Sequence, residues 1–246
     1  MFEASYSIPY AGIGPDGRMK LPVLLDALQD MADRDARRMG MTVSDLLPRG
    51  ISWVLRLYSV TIERYPEFGS DFTIRTWHGP VRNLHSVRSF TVWDEKGPVA
   101  SADTSWILID LKRGRPLRLD RHSTPLYGEE SRTMKMEFPD IPSLTEWDDE
   151  RPFSVRRWDL DRNNHVNNAV YFSWAAEAVP EETAAAGILF RAEAEYLRPT
   201  EGQGDIRVRT VRRGSKGGAE EYHHSIVGPE GDEKARFLTF WRQAEE

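Results

Sequence analysis

Cysteine is absent from the 246 residues, and that single omission excludes disulfides, thiolate zinc sites and a cysteine nucleophile together. Long apolar runs are missing as well, and no uninterrupted stretch approaches the roughly 18 residues that span a bilayer. The opening MFEASYSIPYAGIGPDG has neither the basic nor the apolar region of a secretory signal. A reducing cytoplasm is therefore the expected compartment, with no membrane partner. Positive charge is not in excess either. Thirty-three Lys and Arg stand against 39 Asp and Glu, a net charge of −6, which speaks against nucleic acid as the main partner. No His, Asp or Glu spacing resembles a metal cage, and neither a Gly-x-Ser-x-Gly elbow nor a phosphate loop occurs. No metal or cofactor is expected.

What the chain does contain fits a folded soluble protein. With 39% hydrophobic and 29% charged residues it is not disordered, and eight tryptophans imply large apolar surfaces to pack. A weak internal repeat organises it. In the first half, LPVLLDALQDMADRDARRMG places Leu21, Leu24, Leu25, Leu28 and Met31/Ala32 at helical spacing, with Gly40 as the stop. Strand-like segments follow: WVLRLYSVTIERYP, DFTIRTWHG, HSVRSFTVWDEKG and PVASADTSWILID. The second half repeats the order. NNAVYFSWAAEAVP places Val170, Tyr171, Trp174, Ala175 and Ala178 on one helical face, closed by Pro180. Then come LFRAEAEYLRP, GDIRVRTVRRG, EEYHHSIVGPEG and KARFLTFWR. Pro66 and Asp71 answer Pro199 and Asp205 at offsets of 133 and 134, the turn DEKG answers GPEG, and Trp106 answers Trp241. Short turns between consecutive strands make the sheets antiparallel, so the class is α+β, with one helix and one curled sheet occurring twice. Residues 1–122 form the first repeat, the Pro- and acid-rich stretch 123–153 a linker, and 154–246 the second repeat.

The densest polar run is DLDRNNHVNN, Asp159 to Asn168. Asp161, Asn163 and His165 alternate, so an extended segment points all three to one side. If the segment has begun to coil, Asp161 and His165 are neighbours one turn apart. Either way a carboxylate reaches an imidazole, and Asn163 offers an amide N–H to a carbonyl becoming an oxyanion. Asn167 and Asn168 enter a helix start, where the positive dipole end favours negative charge; capping is the ordinary use of such residues. His223 and His224 are adjacent on a strand and face opposite ways. His78, His85 and His122 fall near turns, and surface or hairpin roles are expected for all five.

RWDLDRNNHVNNAVYFSWAAEAVP, with the LLDALQDMADRDARRMG helix, WVLRLYSVTIERYPEFGSDFTIRTW and SWILIDLKRGRP, resembles the acyl-acyl carrier protein thioesterases of plants and bacteria, from about Phe2 to Trp241. The resemblance implies a tandem hot-dog fold, each repeat a long helix wrapped by a curved antiparallel sheet. It implies that Asp161, Asn163 and His165 carry the family's catalytic Asp, Asn and His. A cysteine scheme is excluded here, so Asp161 either attacks the thioester carbonyl or acts with His165 to activate water, while Asn163 stabilises the oxyanion. The family's further glutamate precedes a Gly-Asp turn. In YLRPTEGQGD the one nearby carboxylate is Glu201, whereas counting back from Asp205 puts Thr200 there, and a one-residue slip reverses the face.

The resemblance also places the acyl chain in the first repeat, lined for example by Leu25, Leu28, Gln29 and Trp53. The implied partner is acyl carrier protein, acidic and bearing its acyl group on phosphopantetheine. KRGRPLRLDR, with Lys112, Arg113, Arg115, Arg118 and Arg121 against Asp120, is the best basic patch to meet it; Arg156/Arg157 and Arg212/Arg213/Lys216 are others. The expected reaction is hydrolysis of fatty acyl thioesters, ending fatty-acid synthesis. A hot-dog 3-hydroxyacyl-thioester dehydratase and a non-catalytic acyl-binding module are the alternatives, and either a monomer or a homodimer is compatible.

Overall fold

A computed structural model describes residues 1–79, 84–122 and 138–244, in two compact units, Met1–Glu137 and Phe138–Glu246. The first contains β1 (Phe2–Ser7), α1 (Leu21–Arg38), α2 (Val43–Leu46), β2 (Ile51–Ile62), β3 (Asp71–His78), β4 (His85–Asp94), β5 (Gly97–Asp110) and β6 (Arg115–Leu117). Its strands pair antiparallel in the order β1-β3-β4-β5-β2, with β6 added to β5.

Helix α1 forms where the apolar spacing expects it. Pro22 sits in the first turn, where its missing N–H costs nothing, and Arg37 and Arg38 occupy the last. Gly40 adopts a φ of 63°, which lets Met41 N–H reach back to Ala36 O at 3.0 Å and stops the helix. The face turned to the sheet buries Leu21, Leu24, Leu25, Ala27, Leu28, Met31 and Ala32, and with them the charged Asp35.

The second unit contains β7 (Asp149–Val155), α3 (Asn168–Glu177), α4 (Glu181–Ala186), β8 (Gly187–Tyr196), β9 (Gly204–Lys216), β10 (Ala219–Val227) and β11 (Glu233–Gln243). Its strand order, β7-β9-β10-β11-β8, is that of the first unit, strand for strand. The repeat reaches single residues. The β2–β5 register slips next to Trp106, and the β8–β11 register slips next to Trp241. Trp106 Nε1 donates to Thr104 Oγ1 at 2.9 Å, and Trp241 Nε1 donates to Thr239 Oγ1 at 3.1 Å.

Three features differ from expectation. Each repeat opens with a strand, β1 or β7, that the periodicity did not reveal. The last residues of the expected linker, Asp149–Phe153, belong to β7, Ile141 is buried in the second unit, and residues 123–137 lie outside the described ones. Helix α3 is only 10 residues long against 18 for α1, because Pro180 starts a second short helix after Ala178 ends the first.

Candidate active site

Strand β7 ends at Val155 and the chain turns toward α3 through the polar run. Asp159 is buried and accepts from Arg156 N–H at 2.7 Å, while its carbonyl takes the N–H of Asn167 at 2.8 Å. Leu160 and Val166 pair as a bridge, which folds Asp161–His165 into a closed turn. The turn is neither extended nor helical. Asp161 N–H donates to His165 O at 2.7 Å, and Asn164 takes a φ of 60°, the one left-handed non-glycine residue among those described.

Geometry decides what Asp161 can touch. Its Oδ1 accepts the backbone N–H groups of Asn163 at 2.7 Å and His165 at 3.1 Å. Among the described residues its Oδ2 accepts only the Asn163 side-chain amide, at 3.3 Å. The carboxylate therefore holds the turn together and does not hydrogen-bond the imidazole, contrary to the expectation for this pair. The carboxylate that meets His165 is Glu201, with Oε1 at 3.5 Å from Nε2, a contact longer than a good hydrogen bond.

Backbone pairing brings Glu201 there. His165 and Glu201 form a bridge, and Val166 N–H donates to Thr200 O at 3.0 Å. Thr200 points the other way and is buried. Its hydroxyl accepts from Tyr171 Oη at 2.8 Å, and its N–H donates to the same Oη at 3.1 Å. Burial above all pushes the Tyr171 hydroxyl's pKa up, with the charge of Asp161 adding to it, so it stays protonated and donating. Of Thr200 and Glu201, it is Glu201 that shares a side with His165. Tyr171 was expected only as part of a helical core face; its hydroxyl staples the segment that carries Glu201. Asn167 caps α3, accepting from Ala169 N–H at 3.0 Å. Trp158, in the same run, is 94% exposed, and no sequence signal marked it.

A groove of about 490 Å³ runs past Glu201, lined by Arg198, Asp205, Glu230, Asp232 and Lys234 among others. Its carboxylates outnumber its cations, which suits no phosphate. In the first unit a cavity of about 60 Å³ lies between α1 and the sheet. Of the four residues expected along an acyl slot, Gln29 and Trp53 line this cavity, whereas Leu25 and Leu28 are not among its lining and are buried in the core. The five cations of the expected carrier patch all sit exposed on and after the β5–β6 hairpin. Arg118 is paired with Asp120 at 2.8 Å and Arg113 lies 3.8 Å from Asp110.

The other histidines correct expectation. His78, His223 and His224 are buried in the sheets, not at the surface. His224 bonds Thr210 at 3.0 Å and Thr239 at 2.9 Å, and His223 bonds Arg213 at 2.9 Å. They do face opposite ways.

The acyl-ACP thioesterase N-terminal domain matches residues 1–127, and the acyl-ACP thioesterase C-terminal domain matches residues 143–243. The chain belongs to the acyl-ACP thioesterase family. Among its relatives is a chloroplastic dodecanoyl-[acyl-carrier-protein] hydrolase of Umbellularia californica, 27% identical over 98% of this chain and 68% of the relative. Another is a chloroplastic palmitoyl-acyl carrier protein thioesterase of Cuphea hookeriana, 24% identical over 98% of this chain and 62% of the relative. Two solved structures share the fold. The 12:0-ACP thioesterase from Umbellularia californica gives a TM-score of 0.87 at 24% identity, covering 99% of this chain and 94% of that one. An acyl-ACP thioesterase from Bacteroides thetaiotaomicron gives 0.86 at 20% identity, covering 98% and 97%. This family member is thus a tandem hot-dog protein of α+β class, and a thioester hydrolase by membership. Among the described residues no helix is long and apolar enough to cross a membrane.

Proposed function

We propose that this thioesterase hydrolyses fatty acyl groups from acyl carrier protein in a cytoplasm and so ends fatty-acid synthesis. The observation that carries the reading is the convergence of Asp161, Asn163, His165 and Glu201 on one turn, inside the region matched by the thioesterase C-terminal domain. Each group has a role that its contacts support. Oδ2 of Asp161 accepts a single side-chain amide, and it either takes a proton from the water that attacks the carbonyl carbon as the C–S bond breaks, or attacks that carbon itself, expelling the thiolate and giving an anhydride that water then opens to the free acid. The second amide proton of Asn163 meets the developing oxyanion, a donor worth about 2.7–4 kcal/mol where such donors have been removed. Glu201 orients His165, which moves the proton to the leaving thiolate. The exposed cations of the β5–β6 hairpin suit an acidic carrier.

Thiol release from acyl-carrier and acyl-CoA substrates tests this directly, and a chain without cysteine adds no background. Asp161→Ala and His165→Ala are expected to lower kcat by several orders of magnitude. Asn163→Ala is expected to lower it by about 10²–10³, and Glu201→Ala by less. An enoyl thioester with the thiol still blocked would instead mark a dehydratase. Undiminished turnover in Asp161→Ala and His165→Ala would remove the site.

A further inference from the structure

The first unit contains a twin of the turn that carries Asp161, Asn163 and His165. Strand β1 is followed by a single 3-10 turn, Tyr10–Gly12, just as β7 is followed by Arg157–Asp159. The next loop is then closed by the same bonds. Gly14 N–H donates to Arg18 O at 2.8 Å, Gly17 N–H to Gly14 O at 3.1 Å, and Lys20 N–H to Gly12 O at 2.8 Å. The counterparts in the second unit are Asp161 to His165 at 2.7 Å, Asn164 to Asp161 at 3.0 Å, and Asn167 to Asp159 at 2.8 Å. Gly17 takes a φ of 75° where Asn164 takes 60°. Ile13 bridges Met19 as Leu160 bridges Val166, and Arg18 bridges Glu67 as His165 bridges Glu201.

Two turns with one backbone separate what the fold needs from what a ligand needs. Gly14, Asp16 and Arg18 stand where the second unit has Asp161, Asn163 and His165, so the turn closes without the candidate groups. Asp16 Oδ1 takes the N–H of Arg18 at 3.1 Å, the bond that Asp161 Oδ1 makes to His165 N–H at 3.1 Å. The same comparison applies just before the turn. Arg157 and Trp158 stand where the twin has Tyr10 and Ala11, so the backbone does not require them. Both are exposed, Trp158 at 94%, and neither side chain hydrogen-bonds a described residue. Arg156 and Arg162, in the places of Pro9 and Pro15, set two more exposed guanidiniums beside them. Tryptophan among arginines is the composition of binding hot spots.

Trp158 lies three residues before Asp161, at most about 11 Å along the chain, so its ligand is joined to whatever reacts at the turn. A thioester held there carries a pantetheine arm that ends in a phosphate ester, and the groove past Glu201 is too acidic to take that phosphate. A guanidinium fork matches phosphate oxygens, and an indole face suits the methyl groups of the pantoyl unit. We propose that Arg157 and Trp158, flanked by Arg156 and Arg162, form the platform that receives the phosphopantetheine arm, with Trp158 against its pantoyl methyls and Arg157 on its phosphate. This deepens the thioesterase reading and rests on it for the position of the thioester. The arm is common to carrier protein and coenzyme A substrates.

The twin supplies the variant. Arg157→Tyr/Trp158→Ala writes the first unit's residues onto the same backbone. Arg157→Gln removes the charge alone, and it carries the test if the double variant does not fold. The readouts are KM for dodecanoyl thioesters of pantetheine, phosphopantetheine, coenzyme A and the carrier, and calorimetric binding of the dodecyl thioethers of pantetheine and phosphopantetheine, which have no carbonyl to attack. Arg157→Gln is expected to raise the ratio of KM for phosphopantetheine to pantetheine substrate about tenfold, the loss of one charge-assisted hydrogen bond. The double variant is expected to raise both KM values and weaken both thioethers. A rise shared by carrier and coenzyme A substrates supports a platform for the arm. A rise confined to the carrier substrate would move these residues to the carrier's protein surface and overturn the proposal. So would a ratio and thioether affinities that stay put in folded variants, or a wild type that does not prefer the phosphorylated thioether. If the wild type hydrolyses no thioester, the enzymatic reading falls, while the two thioethers still decide the platform.

Discussion

Asn164 shows how much the site depends on one backbone angle. Its φ of 60° closes the turn that presents Asp161, Asn163 and His165, and asparagine tolerates that region where branched side chains do not. Asn164→Gly should leave both stability and turnover near wild type, whereas Asn164→Val should cost about 1–2 kcal/mol and lower kcat as the turn opens. Thermal melts beside thiol-release kinetics read the two effects separately. Tyr171 positions from further away. Removing its hydroxyl in Tyr171→Phe leaves the buried Thr200 N–H without its acceptor, a loss of about 1–3 kcal/mol. Because Thr200 adjoins Glu201, kcat should fall more than KM rises. A Tyr171→Phe enzyme with unchanged stability and kcat would show that the staple holds nothing the reaction needs.

Elements were legible in the sequence wherever side chains carry their own pattern. The stripe of Leu24, Leu28 and Met31 announces α1, and the Trp106/Trp241 pair marks the same register slip in both sheets. Strands β1 and β7 were not legible, for a physical reason. Both are edge strands, FEASYS is short and half polar, and DERPFSV carries charges and a proline that edges tolerate. Such segments take their conformation from the neighbour they pair with. The site divided in the same way. Asp161, Asn163 and His165 are adjacent in sequence and declare themselves, whereas the His165–Glu201 contact and the Tyr171 staple exist only once Thr200 pairs with Val166. The β5–β6 hairpin supplies this scale's prediction. Lys112, Arg113 and Arg115 sit exposed around its tip, so Lys112→Glu/Arg115→Glu should raise the ratio of KM for carrier-bound to pantetheine-bound substrate severalfold. The effect should fade as salt shortens the screening length from about 10 Å at 0.1 M toward about 3 Å at 1 M. A ratio insensitive to these charges and to salt would place the carrier elsewhere.

Over the whole molecule, each unit buries histidine inside its sheet, and the chain should therefore lose stability in acid. Burial, aided by nearby positive charge, lowers His78 and His223 to about 4, and burial with His223 lowers His224 to about 3, all from an ordinary value of 6.5. In each case the native state holds the neutral ring, while the unfolded chain takes up a proton as soon as the pH passes below 6.5. The stabilisation is thus complete above about pH 6.5 and drains as the pH falls toward about 3–4. Each histidine contributes a slope of at most about 1.4 kcal/mol per pH unit. Asp35, held at about 2 against an ordinary 3.8, extends the loss to lower pH with the same sign. Calorimetric melting from about pH 8 down to about pH 4 should show a transition temperature that is flat at first and then falls with increasing steepness below about 6.5. His224→Gln, which can still bond Thr210 or Thr239, should remove part of that slope. A transition temperature that stayed level across the window would mean that these rings accept protons in the folded chain, and that their burial between the strands opens readily in solution.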